Sequence, residues 1–518
     1  MIIRCKEVRS TLTFTIILLI ILTLFSRLIG MGREIILAYF YGATMISDAY
    51  LMSIAIPTIL VTIFITSFAT GFIPVYQKLD GDTAQKHEFT NKVFGLIIII
   101  CTIILILAFI FTPAIVSIFV PGFGAEATSL TVTFTRFTLL SVFFLGVNSL
   151  LHSFMQIKEK VLLASLSGLP FNIIAIIFIF LSFHFELYLI AIGSIFAIGA
   201  QTIYLLILAR AQKLTFKPQF NIKHNDESLR NLAILTFPII LANAVEQIGL
   251  IVDKNIASTF ETGAISALSY ASRTTIAFSG IIITSFLVVT FPKIAKLTSQ
   301  NNLTKMKNAL AESIVGLSLF TIPVIAAIIT FSVPVTYSLF GRGAFDEDAV
   351  AITSRLLFFN IFFLFGNGLM QLFSRVFFSL KDSKTPLIIS TLTVLLNIIL
   401  NFTLTPIMGI AGLTLATSLA SFFGMSLLLL LLRKKIGSLR LKNTLHSVGK
   451  IIIASTAMAL GAYFTYRYIL LLSGIIALLI AATVGVIIYS VLLLVLRIRE
   501  VDELIAFIVN KIRTRKSQ

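Results

Sequence analysis

The sequence predicts an all-α integral membrane protein of about 14 transmembrane helices, with two pseudo-symmetric six-helix lobes followed by two C-terminal helices. Three observations lead to this prediction: an apolar composition, a regular alternation of charge, and an internal repeat. Hydrophobic residues fill 58% of the 518 positions and charged residues only 12%, whereas soluble domains carry roughly 25% charged residues. A bilayer requires no polar surface over its hydrocarbon depth, so this composition favours a membrane protein without a separate soluble domain.

The apolar runs are long enough to be transmembrane helices, since a helix needs about 20 residues to cross the hydrocarbon core. The N-terminus resembles a signal peptide, but no small-residue cleavage site follows it, so we interpret the first run as a span. The predicted spans are 11–41, 49–76, 91–119, 129–156, 161–183, 186–209, 231–258, 264–291, 309–340, 349–379, 386–405, 410–432, 447–466 and 470–496.

Positive charge alternates along the segments that join these spans. If residue 1 is cytoplasmic, the cytoplasmic segments and their edges hold 31 of the 40 Lys and Arg residues, while the outer loops hold only Arg342 and Arg467. This asymmetry is the positive-inside rule, and it predicts a multi-pass protein with both termini in the cytoplasm. It also explains the net charge of +18 without a nucleic-acid partner.

Two pairs of segments indicate an internal repeat of about 220 residues. Residues 65–79 match 283–297 without a gap, and 172–210 resemble 397–434. An even number of spans per repeat gives both halves the same orientation, as in transporters that hold their substrate between two lobes. The predicted domains are an N-terminal lobe at 1–210, a cytoplasmic linker at 211–230, a C-terminal lobe at 231–434, and two further spans with a cytoplasmic tail at 435–518.

Six arginines lie within the spans, where an ionised side chain costs about 2.5–3.5 kcal/mol on insertion scales, and three of them are harder to explain by snorkelling than the others. Arg27 and Arg33 flank Gly30-Met31-Gly32, a predicted break in the first span, and Glu34 follows them; Arg273 lies well inside span 8. Because the guanidinium fork suits phosphate oxygens, these residues predict a cavity for a phosphorylated anion. A structural network of buried ion pairs is the alternative interpretation.

A second group of intramembrane residues is mainly uncharged. Asn397 and Asn401 are spaced four residues apart on one helix face, Thr417 lies in span 12, and Asp253 lies near the outer end of span 7. Carboxylate, amide and hydroxyl oxygens together could hold a sodium ion. Interhelical hydrogen bonding explains the same residue types, and the residues alone favour it.

Motifs of known enzymes are missing from the sequence. It contains no HExxH, CxxC, P-loop or GxSxG, and Cys5 and Cys101 are its only cysteines. A membrane-bound glycosyl or acyl transferase would need a carboxylate or histidine centre, and the spans offer none. We therefore predict a transporter without a catalytic site and without a cofactor other than the possible sodium ion.

Several segments carry a resemblance to a known family. The stretch SRLIGMGREIILAYFYGATMISDAY at 26–50 resembles the opening of the MurJ/MviN lipid II flippases, which belong to the multidrug/oligosaccharidyl-lipid/polysaccharide exporter superfamily. Segments 256–273, 341–350 and 377–420 are similar to the same family. The resemblance covers essentially the whole chain and implies a two-lobe helical flippase in the bacterial plasma membrane.

The resemblance also implies roles for individual residues. The family requires certain positions in its first two spans, an arginine in span 8, and a set of positions implicated in sodium binding. In this chain the first group is Ser26, Arg27, Arg33, Glu34 and Asp48; the span 8 arginine is Arg273; and the sodium group is Asp253, Asn397, Asn401 and Thr417.

One departure from the family concerns span 2. The family usually reads IPNLLRR there, but this chain reads IPTILVTIFITSF at 56–68, so an expected cavity arginine near Val61 or Thr62 is missing. The resemblance still implies transport of a polyprenyl-pyrophosphate-linked saccharide, with lipid II favoured. The alternatives are another lipid-linked polysaccharide unit and a multidrug cation exporter. Membrane lipids, and possible cell-wall synthesis proteins, are the implied partners.

Overall fold

A computed structural model describes residues 22, 25–79, 83–214, 216–221, 226–439, 442–469 and 474–498. All regular structure in this part of the chain is helical, as predicted. Thirteen helical segments within it are long and apolar enough to cross a membrane. Of the predicted first span, 11–41, the structure describes residue 22 and residues 25–41, and the latter are helical. The count of 14 therefore remains a prediction.

The described helices follow one another along the chain with short connections. They are α1 (25–41), α2 (Met45–Val61), a π-helical turn (Thr62–Thr66), α3 (Ser67–Lys78), α4 (Thr83–Ile110), α5 (Thr112–Phe119), α6 (Ala125–Thr138), a 3-10 turn (Leu139–Ser141), α7 (Val142–Ile157), α8 (Val161–Ser165), α9 (Gly168–His184), α10 (Leu189–Ala211), α11 (Glu227–Ala257), α12 (Ala264–Ser299), α13 (Leu303–Phe340), α14 (Glu347–Asn360), α15 (Phe363–Ser379), α16 (Lys384–Met408), α17 (Ala411–Ile436), α18 (Lys442–Tyr468) and α19 (Gly474–Val495).

The chain folds into two compact units. The first comprises Met1–Ser266 and Arg342–Asp346, and the second comprises Ala267–Gly341 and Glu347–Gln518. Helix α11 belongs to the first unit because it packs on α3 and on the π-helical turn. The compact units therefore divide after α11, whereas the sequence repeat places a lobe boundary before it; the lobes defined by the repeat remain a prediction.

Two predicted spans are interrupted near a proline. The run 91–119 divides at Phe111, and Pro113 lies in the first turn of α5, which suits a residue that lacks a backbone N–H. Helix α13 kinks at Phe331, whose backbone leaves the helical region, three residues before Pro334. A proline ring clashes with the preceding turn, which accounts for the kink.

The predicted break in the first span is wrong. Residues 25–41 form a continuous helix through Gly30 and Gly32. A side chain at Gly30 would come within 3.3 Å of the Asn172 amide nitrogen. This glycine therefore allows α1 and α9 to approach each other closely rather than interrupting α1.

Two helix ends show the same geometry one repeat length apart. After α7, Glu159 adopts a positive φ of 58°, and the N–H of Lys160 donates to the carbonyl of Met155 at 2.9 Å. After α15, Lys381 adopts a φ of 59°, and the N–H of Asp382 donates to the carbonyl of Phe377 at 3.0 Å. Both ends are Schellman caps; Lys213 and Asn301 end helices in the same way, so the predicted repeat remains a prediction.

Candidate functional site

Arg33 and Glu34, two residues predicted for the site, form an ion pair in α1, as the ion-pair alternative expects. The Arg33 guanidinium donates to the Glu34 carboxylate, and the Arg33 and Glu34 side chains are only 16% and 3% exposed. The guanidinium carbon also lies 5.0 Å from the centre of the Phe171 ring, on α9. A carboxylate and an aromatic face thus compensate the charge that the apolar surroundings would otherwise disfavour.

The other predicted anion-binding residues lie in different environments. Ser26 is buried against α9, where a side chain at Gly168 would come within 2.9 Å of the Ser26 hydroxyl. Arg27 is exposed on the same helix, and Arg273 is exposed on α12 in the second unit. Binding of a pyrophosphate by Arg27, Arg33 and Arg273 therefore remains a prediction.

The Asp48 carboxylate accepts three hydrogen bonds from the start of α12 and the turn before it. One oxygen accepts from the backbone N–H of Gly263 at 2.7 Å. The other accepts from the N–H of Ser266 at 2.7 Å and from its hydroxyl at 2.5 Å. Asp48 as a whole residue is 2% exposed. Its carboxylate caps the start of α12, where a negative charge complements the helix dipole.

Two glycines of neighbouring loops bring their backbones close to the backbone that precedes Asp48. Gly263 has a φ of +92°, and a side chain there would come within 2.1 Å of the Ala43 carbonyl oxygen. Gly343 has a φ of +65°, and a side chain there would come within 2.2 Å of the Tyr39 carbonyl oxygen, which also accepts from the N–H of Ala344 at 2.8 Å. Together with the Asp48 carboxylate, these contacts form what we call the Asp48 clasp.

Sequence reasoning assigned Asp48 to the site but did not find its partners. Gly263 and Ser266 have the spacing of residues that begin a helix, three positions apart at the start of span 8. Such a pattern predicts a local helix cap. It does not reveal that the capping carboxylate comes from another span, which is why the clasp became visible only in the structure.

Span 2 contains the π-helical turn at the place where the family arginine is missing. The turn begins at Thr62, and the Asn243 amide of α11 donates to the Ser67 hydroxyl at 2.9 Å and to the Thr62 carbonyl at 3.5 Å. π-helical turns displace the backbone hydrogen-bond pattern and occur often at functional sites. Amide and hydroxyl groups thus occupy this region instead of a guanidinium.

The structure brings together three of the four predicted sodium ligands. The Asn397 amide donates to the Thr417 hydroxyl at 3.3 Å, and the Asn401 amide donates to the Asn397 carbonyl at 3.4 Å. The first contact joins α16 to α17 within the second unit, as the helix-packing alternative expects, and the second lies within α16 and ends on the side-chain amide oxygen of Asn397. Asp253 lies in α11, in the first unit. Sodium binding is therefore still a prediction.

The second unit also contains a large apolar cavity that the sequence did not specify. Its volume is about 1060 Å³, and α12, α13, α18 and α19 line it. Phe286, Phe320, Phe331 and Met458 contribute to its wall, and Lys293 and Glu312 are its charged lining residues. Such a volume lies at the upper end of the roughly 300–1,000 Å³ that ligand pockets usually have.

Comparison with known proteins agrees with the architecture. The family model described as "Lipid II flippase MurJ" matches residues 37–495. A probable lipid II flippase MurJ of Rickettsia prowazekii is 28% identical over 419 residues, covering 80% of this chain and 82% of the relative. The corresponding protein of Thermotoga maritima is 26% identical over 514 residues, covering 96% and 99%.

Solved structures give the same result. A lipid II flippase MurJ in an inward closed conformation superposes with a TM-score of 0.79 at 26% identity, covering 92% of this chain and 98% of the other. An inward-facing multidrug transporter of the MATE family superposes with a TM-score of 0.66 at 15% identity, covering 80% and 96%, which shows a shared fold only. Since the family model spans most of its length, this chain belongs to the MurJ family of lipid II flippases.

Proposed function

We propose that this protein moves lipid II, a polyprenyl-pyrophosphate-linked saccharide, from the inner to the outer leaflet of the bacterial plasma membrane. The family name supplies the substrate class. Arg27, Arg33 and Arg273 would hold the pyrophosphate while the protein alternates between inward-open and outward-open states. The protein acts as a transporter and performs no covalent chemistry on its substrate.

The observation that carries the proposal is that the two compact units supply two different chemistries. The first unit holds a shielded guanidinium in α1, at Arg33. The second unit holds an apolar cavity of about 1060 Å³ between α12, α13, α18 and α19. An anionic head group suits the first and a hydrocarbon chain suits the second, which lies along the last two spans.

The orientation and the driving force follow from charge. We infer cytoplasmic termini from the distribution of Lys and Arg, because segments rich in these residues remain on the cytoplasmic side of the membrane. Carrying two negative charges outward across an inside-negative potential of 100 mV would release about 4.6 kcal/mol. The membrane potential therefore favours export, and a bound sodium ion would add a second source of coupling.

The Asp48 clasp supports a gating role for the loops that contain it. Its hydrogen bonds join the start of α2 to the turn before α12, on the side that the charge pattern places outside. Opening towards the outside would require these bonds to break. Asp48 would then act in the transport cycle by holding a closed state, without contacting the saccharide.

Complementation tests the proposed function. The protein is expressed in a strain depleted of its own lipid II flippase, and both growth and the amount of lipid II exposed at the outer surface are measured. Restored growth with restored exposure is expected. A chain that inserts at normal levels but restores neither would contradict lipid II as the substrate. Arg136→Ala, at an arginine that contacts the Phe109 ring at 5.6 Å, serves as an insertion-matched control.

A further inference from the structure

The apolar cavity of the second unit has one charged edge. Among its described lining residues, only Lys293 of α12 and Glu312 of α13 carry a full charge at neutral pH. Both lie at the same end of the cavity. Their side chains form an ion pair of 3.0 Å. The cavity mouth is therefore marked by a lysine on one helix and a carboxylate on the other.

The opposite end of the cavity is apolar. Phe331, at the kink of α13, packs against Ala462 and Ala481 of the last two helices, and its ring lies 5.5 Å from that of Tyr466. A hydrocarbon chain that enters beside Lys293 would extend along the cavity towards Phe331. The cavity thus has the polarity of an amphiphile, with one charged end and one hydrocarbon end.

The Lys293–Glu312 pair is poorly explained by stability alone. The two side chains are 61% and 41% exposed, and exposed ion pairs contribute about 0–1 kcal/mol to stability. An ammonium group has three donors, and the pair uses one of them in the described contacts. The Lys293 side chain is exposed, and the cavity lining at this end also includes Thr290 and Ser313, so Lys293 can exchange Glu312 for a stronger anion.

The internal repeat shows that the lysine is particular to the second unit. The matched segments 65–79 and 283–297 place Val75 at the position that corresponds to Lys293, and Val75 is buried among apolar side chains. The same alignment pairs Lys78 with Lys296, which lies outside the cavity lining. Lys296 thus follows the repeat, whereas Lys293 does not and lies in the lining of the cavity.

We propose that Lys293 binds the phosphate of a polyprenyl phosphate lipid whose chain occupies the apolar cavity, and that Glu312 occupies Lys293 when the lipid is absent. This inference rests on the proposed function, because it uses the cavity that we propose there for the hydrocarbon chain. The phosphate replaces the Glu312 carboxylate as the partner of Lys293. Polyprenyl alcohols bind the same cavity without this contact.

The lack of tryptophan in the sequence allows a direct binding experiment. Phe320→Trp places a single fluorophore in the cavity lining. The full-length variant is reconstituted in phosphatidylcholine nanodiscs and titrated with undecaprenyl phosphate, undecaprenol or phosphatidylglycerol. We expect undecaprenyl phosphate to bind about tenfold more tightly than undecaprenol, a ratio that one charge-assisted hydrogen bond can supply.

Second substitutions in this variant separate the phosphate contact from the chain contact. Lys293→Gln should weaken undecaprenyl phosphate binding about tenfold and leave undecaprenol unchanged, while Lys296→Gln, its matched control, should change neither. Glu312→Gln should tighten phosphate binding because it removes the competing carboxylate. Ala482→Phe should weaken both ligands by filling the cavity.

The outcomes distinguish this inference from the proposed function. Equal binding of undecaprenyl phosphate in the parent and in Lys293→Gln would overturn the role of Lys293 and leave the chain site in place. Equal affinity for phosphatidylglycerol and undecaprenyl phosphate would show an ordinary lipid site and overturn the proposal. No saturable response to either polyprenyl ligand, with complementation intact, would overturn the cavity as the chain site while lipid II transport stood.

Discussion

Asp48 accepts two hydrogen bonds from Ser266, one from its backbone N–H at 2.7 Å and one from its hydroxyl at 2.5 Å. The two residues are far apart in sequence, at the start of α2 and in the first turn of α12. A buried carboxylate so bonded is held firmly, because removing it leaves buried donors without an acceptor. The pair therefore fixes one conformation of these loops.

Removal of the Asp48 carboxylate should destabilise this conformation. Asp48→Ala is expected to lower the free energy of unfolding by about 2–3 kcal/mol, the scale of charged hydrogen bonds, and Asp48→Asn by less. Thermal unfolding in detergent measures the change. Glu126→Gln, at an exposed acidic residue of the same predicted side, is the control. Additive losses in the Asp48→Ala/Ser266→Ala double variant would show that the two residues do not interact.

Substitution of Arg33 should abolish transport while insertion persists. Arg33→Ala removes the guanidinium and leaves the Glu34 carboxylate buried, whereas Arg33→Lys retains the charge without the bidentate fork. We expect no complementation by the alanine variant and partial complementation by the lysine variant. Ala at Arg27 or Arg273 should have the same effect as at Arg33. Full complementation by all three alanine variants would assign these arginines to structure.

Local sequence signals predicted the helices well. Hydropathy identified nearly every described span, because an apolar helix in a bilayer satisfies its backbone internally and the run length alone marks it. Glycine spacing was less informative: Gly30 looked like a helix break but is a packing position against Asn172. A sequence shows that a glycine is present and does not show whether its backbone or its missing side chain matters.

Tertiary features were less accessible than helices. The pattern of Asn397 and Asn401 predicted a shared helix face, and the structure brings Asn397 into contact with Thr417 of α17, another member of the predicted group. In contrast, the partner of Asp48 and the cavity mouth at Lys293 depend on contacts between distant segments. Hydrophobic periodicity carries no information about which helix meets which, so these relationships required coordinates.

The membrane orientation can be checked by cysteine labelling. In a cysteine-free background, Thr83→Cys should resist an impermeant thiol reagent applied to intact cells, because the charge pattern places residues 77–90 in the cytoplasm. Glu126→Cys should be labelled under the same conditions. Labelling of the Thr83 site at the rate of the Glu126 site would reverse the proposed orientation.

The turn before α16 should be sensitive to acid. The Lys435 ammonium and the backbone N–H of Thr385 both donate to the Asp382 carboxylate, which lowers its pKa to about 2. A depressed native pKa contributes stability above the unfolded value near 3.9, and this contribution is lost as the pH falls towards 2. Asp382→Asn should therefore lower the melting temperature at pH 6 by a few degrees at most, because the Lys435 side chain of this ion pair is exposed and exposed pairs contribute little. The difference between variant and parent should vanish near pH 2, and a difference that persists there would contradict an ionic origin.

Sodium should stabilise the protein selectively if the residues implicated by the family form a site. Asn397, Asn401 and Thr417 already lie together through 3.3 and 3.4 Å hydrogen bonds, and Asp253 would supply the negative charge. At a concentration about 100 times its dissociation constant, a ligand stabilises the native state by about 2.7 kcal/mol. Melting in detergent should therefore rise with sodium chloride and rise much less with potassium chloride at equal ionic strength.

The variants decide between a cation site and helix packing. Asp253→Asn retains an oxygen and removes the charge, so it should abolish the difference between the two salts. Thr417→Val should weaken the sodium effect and also lower stability in potassium, because it removes the hydrogen bond between Asn397 of α16 and Thr417 of α17. The matched control is Asp346→Asn, outside the predicted ligand set, which should leave the sodium effect unchanged. Identical melting curves in both salts for the unmutated protein would leave Asn397 and Asn401 as helix-packing residues, since a packing network has no reason to distinguish sodium from potassium.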